Sequence, residues 1–307
     1  MSLEQHIQIR VHGDASLPTL VYLPGLHGDW TLVSSFRAAV ADKVRFVEFT
    51  YPHATTGSLD DHAREIEEAL LANGVTEGWV IGESFGSQPA WQLIKRAREN
   101  STGFQTRGLV LAGGFVRHPT IWGVRLLERV SRRISLRAVT VFCAIYARYA
   151  KFRHRHAPES LASIKEFVAN RCTEADRQAI TYRYVLIAEN DLRPVACRTT
   201  IPVHYLAGSV DPLVPWPHVR WWLRRNCPGY RGGKTIWRAD HNVLATAPKK
   251  SADQVLAWIG RPHPPQRDIK SIMHSDGHDH RFSVQASRSE CHFIAGLHLG
   301  VSRSPSP

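Results

Sequence analysis

The sequence predicts an α/β fold with a mostly parallel central sheet, helices on both faces, and a helical cap inserted after the strand that ends near Gly113. Three observations carry this expectation. Short β-branched and apolar runs alternate with stretches of helical period. The connections between them are short, and strand–helix–strand units joined in this way form right-handed crossovers and a parallel sheet. The alternation also stops after Gly114 and resumes near Ile201, so the sheet straddles an insertion.

In chain order, "TLVYL" (19–23) reads as a strand, "SSFRAAVADK" (34–43) as a short helix and "VRFVEF" (44–49) as a second strand. "SLDDHAREIEEALLANG" reads as a capped helix, because Asp61 follows Ser58 at capping-box spacing and Gly74 closes the end. A strand at "GWVIG" (78–82), a helix from Gln88 to Arg98 and a strand at "GLVLAG" (108–113) complete the first run. The stretch that follows is arginine-rich and helical in pattern, through "GVRLLERVSRRI" and then "SLASIKEFVANR" behind Pro158. The alternation returns with "IPVHYLAG" (201–208), a helix around "HVRWWLRRN", a strand at "KTIWR" (234–238) and a helix at "KSADQVLAWI" (250–259). The expected organisation is a core of residues 1–114 and 201–260, a basic helical cap at 115–200 and an irregular tail at 261–307, which opens on "RPHPPQRD".

The 307 residues, 43% hydrophobic and 21% charged, suffice for one large α/β domain. No run approaches the ~18 apolar residues of a membrane span, and "MSLEQHIQIR" lacks the basic-then-apolar layout of a signal peptide, so a cytoplasmic protein is expected. Cys143, Cys172, Cys197, Cys227 and Cys291 stand singly and odd in number, which argues against a disulfide framework and a zinc site and for reduced thiols. Much of the +12 net charge is local, with sixteen Lys and Arg against seven Asp and Glu between Phe115 and Thr200. Such a cap is a solvated basic face, or a docking surface for an acidic carrier protein, the phosphates of a coenzyme A thioester or an anionic lipid surface. No zinc-finger, single-strand-binding or helix-turn-helix pattern accompanies it, so no nucleic-acid partner is expected.

The chemistry-bearing stretch is "WVIGESFGSQPAW" (79–91), in which Gly82, Glu83, Ser84, Phe85 and Gly86 form G-x-S-x-G between a predicted strand and a predicted helix. In that setting the serine occupies a strained turn, and the flanking glycines allow strand and helix to approach closely. A serine hydroxyl becomes a nucleophile when a histidine takes its proton, and that histidine needs a carboxylate to hold its tautomer. Asp211 follows the strand after the insertion, and His241 follows the next strand. The order Ser, Asp, His suits this fold class, whose ligands bind at the carboxyl ends of the strands. Asp240 is the rival acid, but it adjoins His241 and adjacent side chains point apart, so it reads as a turn residue. For the oxyanion, Phe85 N–H is one donor, and the loop "YLPGLHGDW" supplies the second after the turn at Pro24 and Gly25, from Leu26 N–H or, less aptly, His27 N–H.

With "LPGLHGD", "GESFG", "AGSVDPLVP" and "ADHN" in these positions, the chain resembles the α/β-hydrolase superfamily over about residues 7–260, specifically serine hydrolases with a helical cap. The resemblance implies Ser84 as nucleophile, Asp211 as acid, His241 as base and the Leu26 and Phe85 amides as oxyanion hole, with Gly25, Gly82, Glu83 and Gly86 in support. It departs from the pattern in carrying Pro24-Gly25 where many relatives have His-Gly, a swap that a backbone donor tolerates. The activity implied is hydrolysis of an ester or thioester of a small to medium acyl substrate, without a cofactor. Acyl transfer, C–C hydrolysis, aminopeptidase action on the same triad and a non-catalytic binding protein using the basic cap remain as alternatives. Glu83 either holds a hydrogen bond beneath the serine or tunes its environment. Phe115, Trp122, Phe142, Tyr146 and Tyr149 either line an acyl site or pack the cap on the core, and His274, Asp276, His278, Asp279 and His280 form an adventitious metal cluster in the tail.

Overall fold

The computed structural model of the chain describes residues 6–138 and 173–261 continuously, with scattered helical positions between 140 and 166. Its strands are β1 (Gln8–His12), β2 (Thr19–Leu23), β3 (Arg45–Thr50), β4 (Glu77–Glu83), β5 (Gln105–Ala112), β6 (Val203–Gly208) and β7 (Tyr230–Ile236). They form one sheet in the order β1-β3-β2-β4-β5-β6-β7. β1 pairs antiparallel with β3, and all the other pairings are parallel. The mostly parallel expectation therefore holds, with one antiparallel edge. β1 has no counterpart in the sequence reading, because "QIRVH" is short and mostly half-buried at an edge and carries no sustained apolar run.

The helices are α1 (Ser34–Val40), α2 (Leu59–Ala72), α3 (Ser87–Glu99), α4 (Ile121–Arg133), α5 (Glu174–Glu189), α6 (Arg193–Ala196), α7 (Trp216–Asn226), α8 (Val243–Thr246) and α9 (Pro248–Ile259). Strand residues alternate between two buried layers. Val21, Leu23, Val80, Leu109, Leu111 and Tyr205 face α2, α3 and α7, through residues such as Ile66, Trp91 and Leu223. Leu20, Tyr22, Ile81, Val110 and Leu206 face α1, α8 and α9, through Phe36, Leu244 and Val255. Burial on both faces explains why the central strands read as continuous apolar runs and not as alternating ones.

Local chemistry sets the element ends. Ser58 Oγ accepts from Asp61 N–H at 3.1 Å while Asp61 Oδ2 accepts from Ser58 N–H at 2.8 Å, completing the expected capping box of α2. Gly74 takes φ +66° just past the end of that helix. Thr173 and Asp176 make the same reciprocal pair at the start of α5, a cap worth about 1 kcal/mol. β7 begins four residues earlier than "KTIWR", because Gly232 and Gly233 hide the strand signal: Gly233 stays in the ladder opposite Tyr205, while Gly232, at φ +109°, takes up the shift in register before it.

Between β5 and β6 the chain forms α4, which packs along α5, followed by α6 against α3. The expected helix on "SLASIKEFVANR" lies largely outside the described residues, as do Phe142, Tyr146 and Tyr149. The tail from 262 onward, with its histidine cluster, lies wholly outside them. Phe115 is buried in the core, whereas Trp122 is 74% exposed and does not pack the inserted segment onto the core. Among the described residues no helix is long and apolar enough to cross a membrane.

Backbone packs closely under α3, where a Cβ on Gly86 would fall 2.1 Å from the Leu23 carbonyl oxygen. Gly86→Ala is expected to lower unfolding free energy by at least about 1 to 3 kcal/mol, the range for overpacking, since backbone and not a flexible side chain must move. Denaturant titration of the variant against the parent protein checks this, and equal midpoints contradict it.

Candidate active site

β4 delivers Glu83 in extended geometry, and the chain then turns sharply: Ser84 has φ +50° and opens a single 3-10 turn, Ser84–Gly86, that runs into α3. The left-handed region costs a non-glycine residue on the order of 1–2 kcal/mol, so the turn must be held by its surroundings. On one side, a Cβ on Gly82 would lie 2.8 Å from Gly86 O and Ser87 N. On the other, Ser87 Oγ donates to Ser84 O at 2.6 Å and accepts from Phe115 N–H at 3.0 Å. Gln88 Nε2 donates to the Phe115 and Val116 carbonyls, both at 3.2 Å, so the loop after β5 is stitched to the serine turn. Ser84 itself is 8% exposed.

Asp211 and His241 meet at the ends of β6 and β7. His241 Nδ1 lies 2.8 Å from Asp211 Oδ2, with the carboxylate side chain fully buried and the imidazole 10% exposed. Asp211 Oδ1 accepts the N–H groups of Leu213 at 2.8 Å and Val214 at 3.0 Å. A carboxylate that already gathers amide donors accepts from Nδ1–H, which leaves the Nε2 lone pair as the basic position of the neutral ring. Asp240 instead accepts from Asn242 N–H at 3.0 Å and Thr246 Oγ1 at 3.1 Å, the turn role expected of it.

The register brings the third group to the same edge. Glu83 pairs with Ala112, so Ser84 stands level with Gly113, where φ is +59°. A Cβ on Gly113 would meet His241 Nδ1 at 3.3 Å and Cε1 at 3.4 Å, so the imidazole lies against that glycine. Gly25 closes the other side, its would-be Cβ 3.3 Å from Ser84 Cβ and 3.4 Å from His27 Cε1. Gly25 to Gly28 is a turn closed by Gly28 N–H to Gly25 O at 3.0 Å, a bond in which the Leu26 N–H takes no part. The Leu26 carbonyl accepts from Arg183 Nη1 at 2.7 Å. Phe85 N–H belongs to the first turn of the helical segment, where amides lack intrahelical acceptors. The fully buried Phe85 ring stands edge-on to Tyr51 and His62, each at 6.2 Å.

Beside Glu83, which the sequence singles out, several supporting residues such as Tyr22 and His118 escaped the sequence reading. Glu83 is 1% exposed and accepts from Tyr22 Oη at 2.6 Å, a hydrogen bond beneath the serine, while its Oε1 has no hydrogen-bond partner. Burial, and then Glu83 itself, pushes the Tyr22 phenol well above its ordinary value, so Tyr22 stays a donor. His118 Nδ1 accepts from Thr120 N–H at 3.2 Å, and the ring also hydrogen-bonds the Leu213 backbone, bracing the Asp211 loop. Burial and then the neighbouring His241 depress His118 to about 4. His118 also lines a cavity of about 230 Å³ with Val116, Arg117, Arg193, His218 and Trp222. Arg117 and Arg193 there share Asp191, at 3.1 and 2.6 Å. Among the described residues no group of three or more His, Cys, Asp or Glu is placed to hold a metal ion.

Tyr22→Phe strips Glu83 of its donor and is expected to cost about 1 to 3 kcal/mol of stability, read by denaturant unfolding; an unchanged midpoint contradicts the assigned bond. His62, 6% exposed, is depressed to about 4 by burial and then by Arg183. The unfolded chain therefore binds one more proton at His62 between pH ~6.5 and ~4, so this contribution to stability is full above 6.5 and falls as pH drops toward 4. His62→Leu should flatten the stability–pH curve over that window by up to about 1.4 kcal/mol per pH unit; an equal slope in parent and variant contradicts it.

No protein-family model matches the chain, and no curated protein sequence does. Solved structures do. A hydrolase from Pseudomonas aeruginosa PA01 aligns with a TM-score of 0.68 at 18% identity, covering 83% of this chain and 94% of its own. An esterase from Exiguobacterium antarcticum gives 0.66 at 17%, covering 83% and 96%. The enol-lactonase from Burkholderia xenovorans LB400 gives 0.64 at 17%, again covering 83% and 96%. Sheet order, serine turn and these alignments agree: the chain has the α/β-hydrolase fold.

Proposed function

We propose that the protein is a serine hydrolase that cleaves a carboxylic ester or thioester of a small to medium acyl substrate through an acyl-enzyme. The observation that carries the reading is the 2.8 Å bond between the buried Asp211 carboxylate and His241 at the strand ends, beside a left-handed Ser84 level with Gly113. The named activities of the aligned structures, a hydrolase, an esterase and an enol-lactonase, support the same reaction class.

In this reading Ser84 Oγ attacks the substrate carbonyl carbon as His241 Nε2 takes its proton, and Asp211 stabilises the imidazolium. The carbonyl oxygen gains negative charge and accepts from the Leu26 and Phe85 amides, each such donor being worth roughly 3 to 4 kcal/mol of barrier. The leaving alcohol or thiol departs with the proton from Nε2. Water then attacks the acyl-serine, again giving its proton to His241, and the free acid and Ser84 hydroxyl are restored. Acyl transfer differs only in the acceptor of the second step. The basic segment offers an acidic carrier protein, a coenzyme A thioester or an anionic surface a place to dock, and the exposed Arg125, Arg129, Arg132 and Arg133 of α4 support that partner class.

Ser84→Ala is expected to abolish turnover of p-nitrophenyl acyl esters while leaving the thermal transition near that of the parent protein. Turnover within a few fold of the parent's overturns the reading. A series of acyl chain lengths, each as ester and as thioester, then defines the substrate.

A further inference from the structure

Most arginines of the segment between β5 and β6 face solvent, but Arg183 on α5 is only 2% exposed. Burying a guanidinium costs several kcal/mol unless its donors are met. Two backbone carbonyls meet Nη1 and Nη2: Leu26 O at 2.7 Å and Pro52 O at 3.3 Å. The guanidinium carbon also lies 5.5 Å from the Tyr51 ring. Gly28 is shaped around this group, with φ +76° and a would-be Cβ only 2.5 Å from both Nη atoms. A side chain at position 28 would therefore expel the guanidinium from the turn.

We propose that Arg183 is the positioning residue of the oxyanion loop, an inference that rests on the serine hydrolase reading. Leu26 contributes to two peptide planes. The plane ahead of it carries the donor N–H and belongs to the turn closed between Gly25 and Gly28, and the plane after it carries the carbonyl gripped by Arg183. With both planes held, the direction of the Leu26 N–H is set before substrate arrives, which is the preorganisation an oxyanion donor needs. The grip reaches the core from the inserted segment. α5 is seated on the loop after β3 by Asp176 on His53 at 2.9 Å, by Tyr182 Oη on the Gly57 carbonyl, and by Arg183 on Pro52. The inserted segment thus sets the rate of the chemical step through one side chain, besides anything it does for substrate choice.

The test is steady-state kinetics of Arg183→Lys and Arg183→Ala on a p-nitrophenyl acyl ester, with rates expressed per serine titrated by a fluorophosphonate. Lysine keeps the charge but reaches one carbonyl only; alanine removes both contacts. The expected result is a fall in kcat of about 10- to 100-fold, the scale for misplacing a catalytic donor by about an ångström, with KM within about threefold. Added guanidinium ion should restore part of the Arg183→Ala rate and none of the Ser84→Ala rate. A purely structural arginine predicts fewer titratable serines with unchanged kcat per serine, and that result, or a loss carried by KM alone, overturns the proposal. A parent protein that neither turns over the ester nor takes the label overturns the hydrolase reading itself, so the two failures are distinguishable. Should Arg183→Ala not fold, the kcat and KM of Arg183→Lys decide.

Discussion

The backbone of Gly86 rests on the Leu23 carbonyl so closely that a Cβ would lie 2.1 Å from it, and β2, β4 and α3 meet at that contact. Everything at the carboxyl edge of the sheet takes its place from there. Leu23 ends β2 and leads directly into Pro24 and Gly25, so the seat of α3 on β2 also brings the early loop against Ser84. Gly82 repeats the packing on the other side of the serine. Between two such contacts the chain has one way to turn, and it takes Ser84 through φ +50°. Strain of this size persists only where the surroundings over-determine it, and here they do so with backbone.

A second tier of buried polar groups keeps the site from relaxing. Ser87 and Gln88 bind the loop after β5 to the serine turn, and His118 from the same loop braces the segment that carries Asp211. Tyr22 supports Glu83 from β2. Each is a hydrogen bond in a low-dielectric setting, where an unmet partner is costly, so each resists displacement more than a surface contact does. Arg183 adds such a tie from the inserted segment to the early loop, and it makes that segment a part of the site's geometry and not only its cover.

Much of this was legible in the sequence because the signals are local. Glycines around Ser84, the Ser58–Asp61 cap and apolar runs at strand length each reflect chemistry within a few residues, and the structure carries all three. Asp211 and His241 were legible through position, as polar residues just past predicted strands, and the structure pairs them. What escaped depends on contacts between distant segments. The Tyr22–Glu83 bond spans 61 residues and the Arg183–Leu26 bond 157, and no spacing rule announces either. β1 escaped because its edge position needs few apolar residues, and the early start of β7 because two glycines sit within it. His118 was one histidine among many in a basic stretch, and nothing in the sequence sets it apart from the others.

The proposed serine hydrolase chemistry requires Ser84, among the serines of this chain, to be the activated one. Reaction of the intact protein with a fluorophosphonate, followed by proteolysis and mass spectrometry, tests it most directly. The expected result is one phosphonyl adduct, on Ser84, that disappears when His241→Ala removes the base. An adduct confined to another serine such as Ser87, or no adduct on the parent protein, would contradict it.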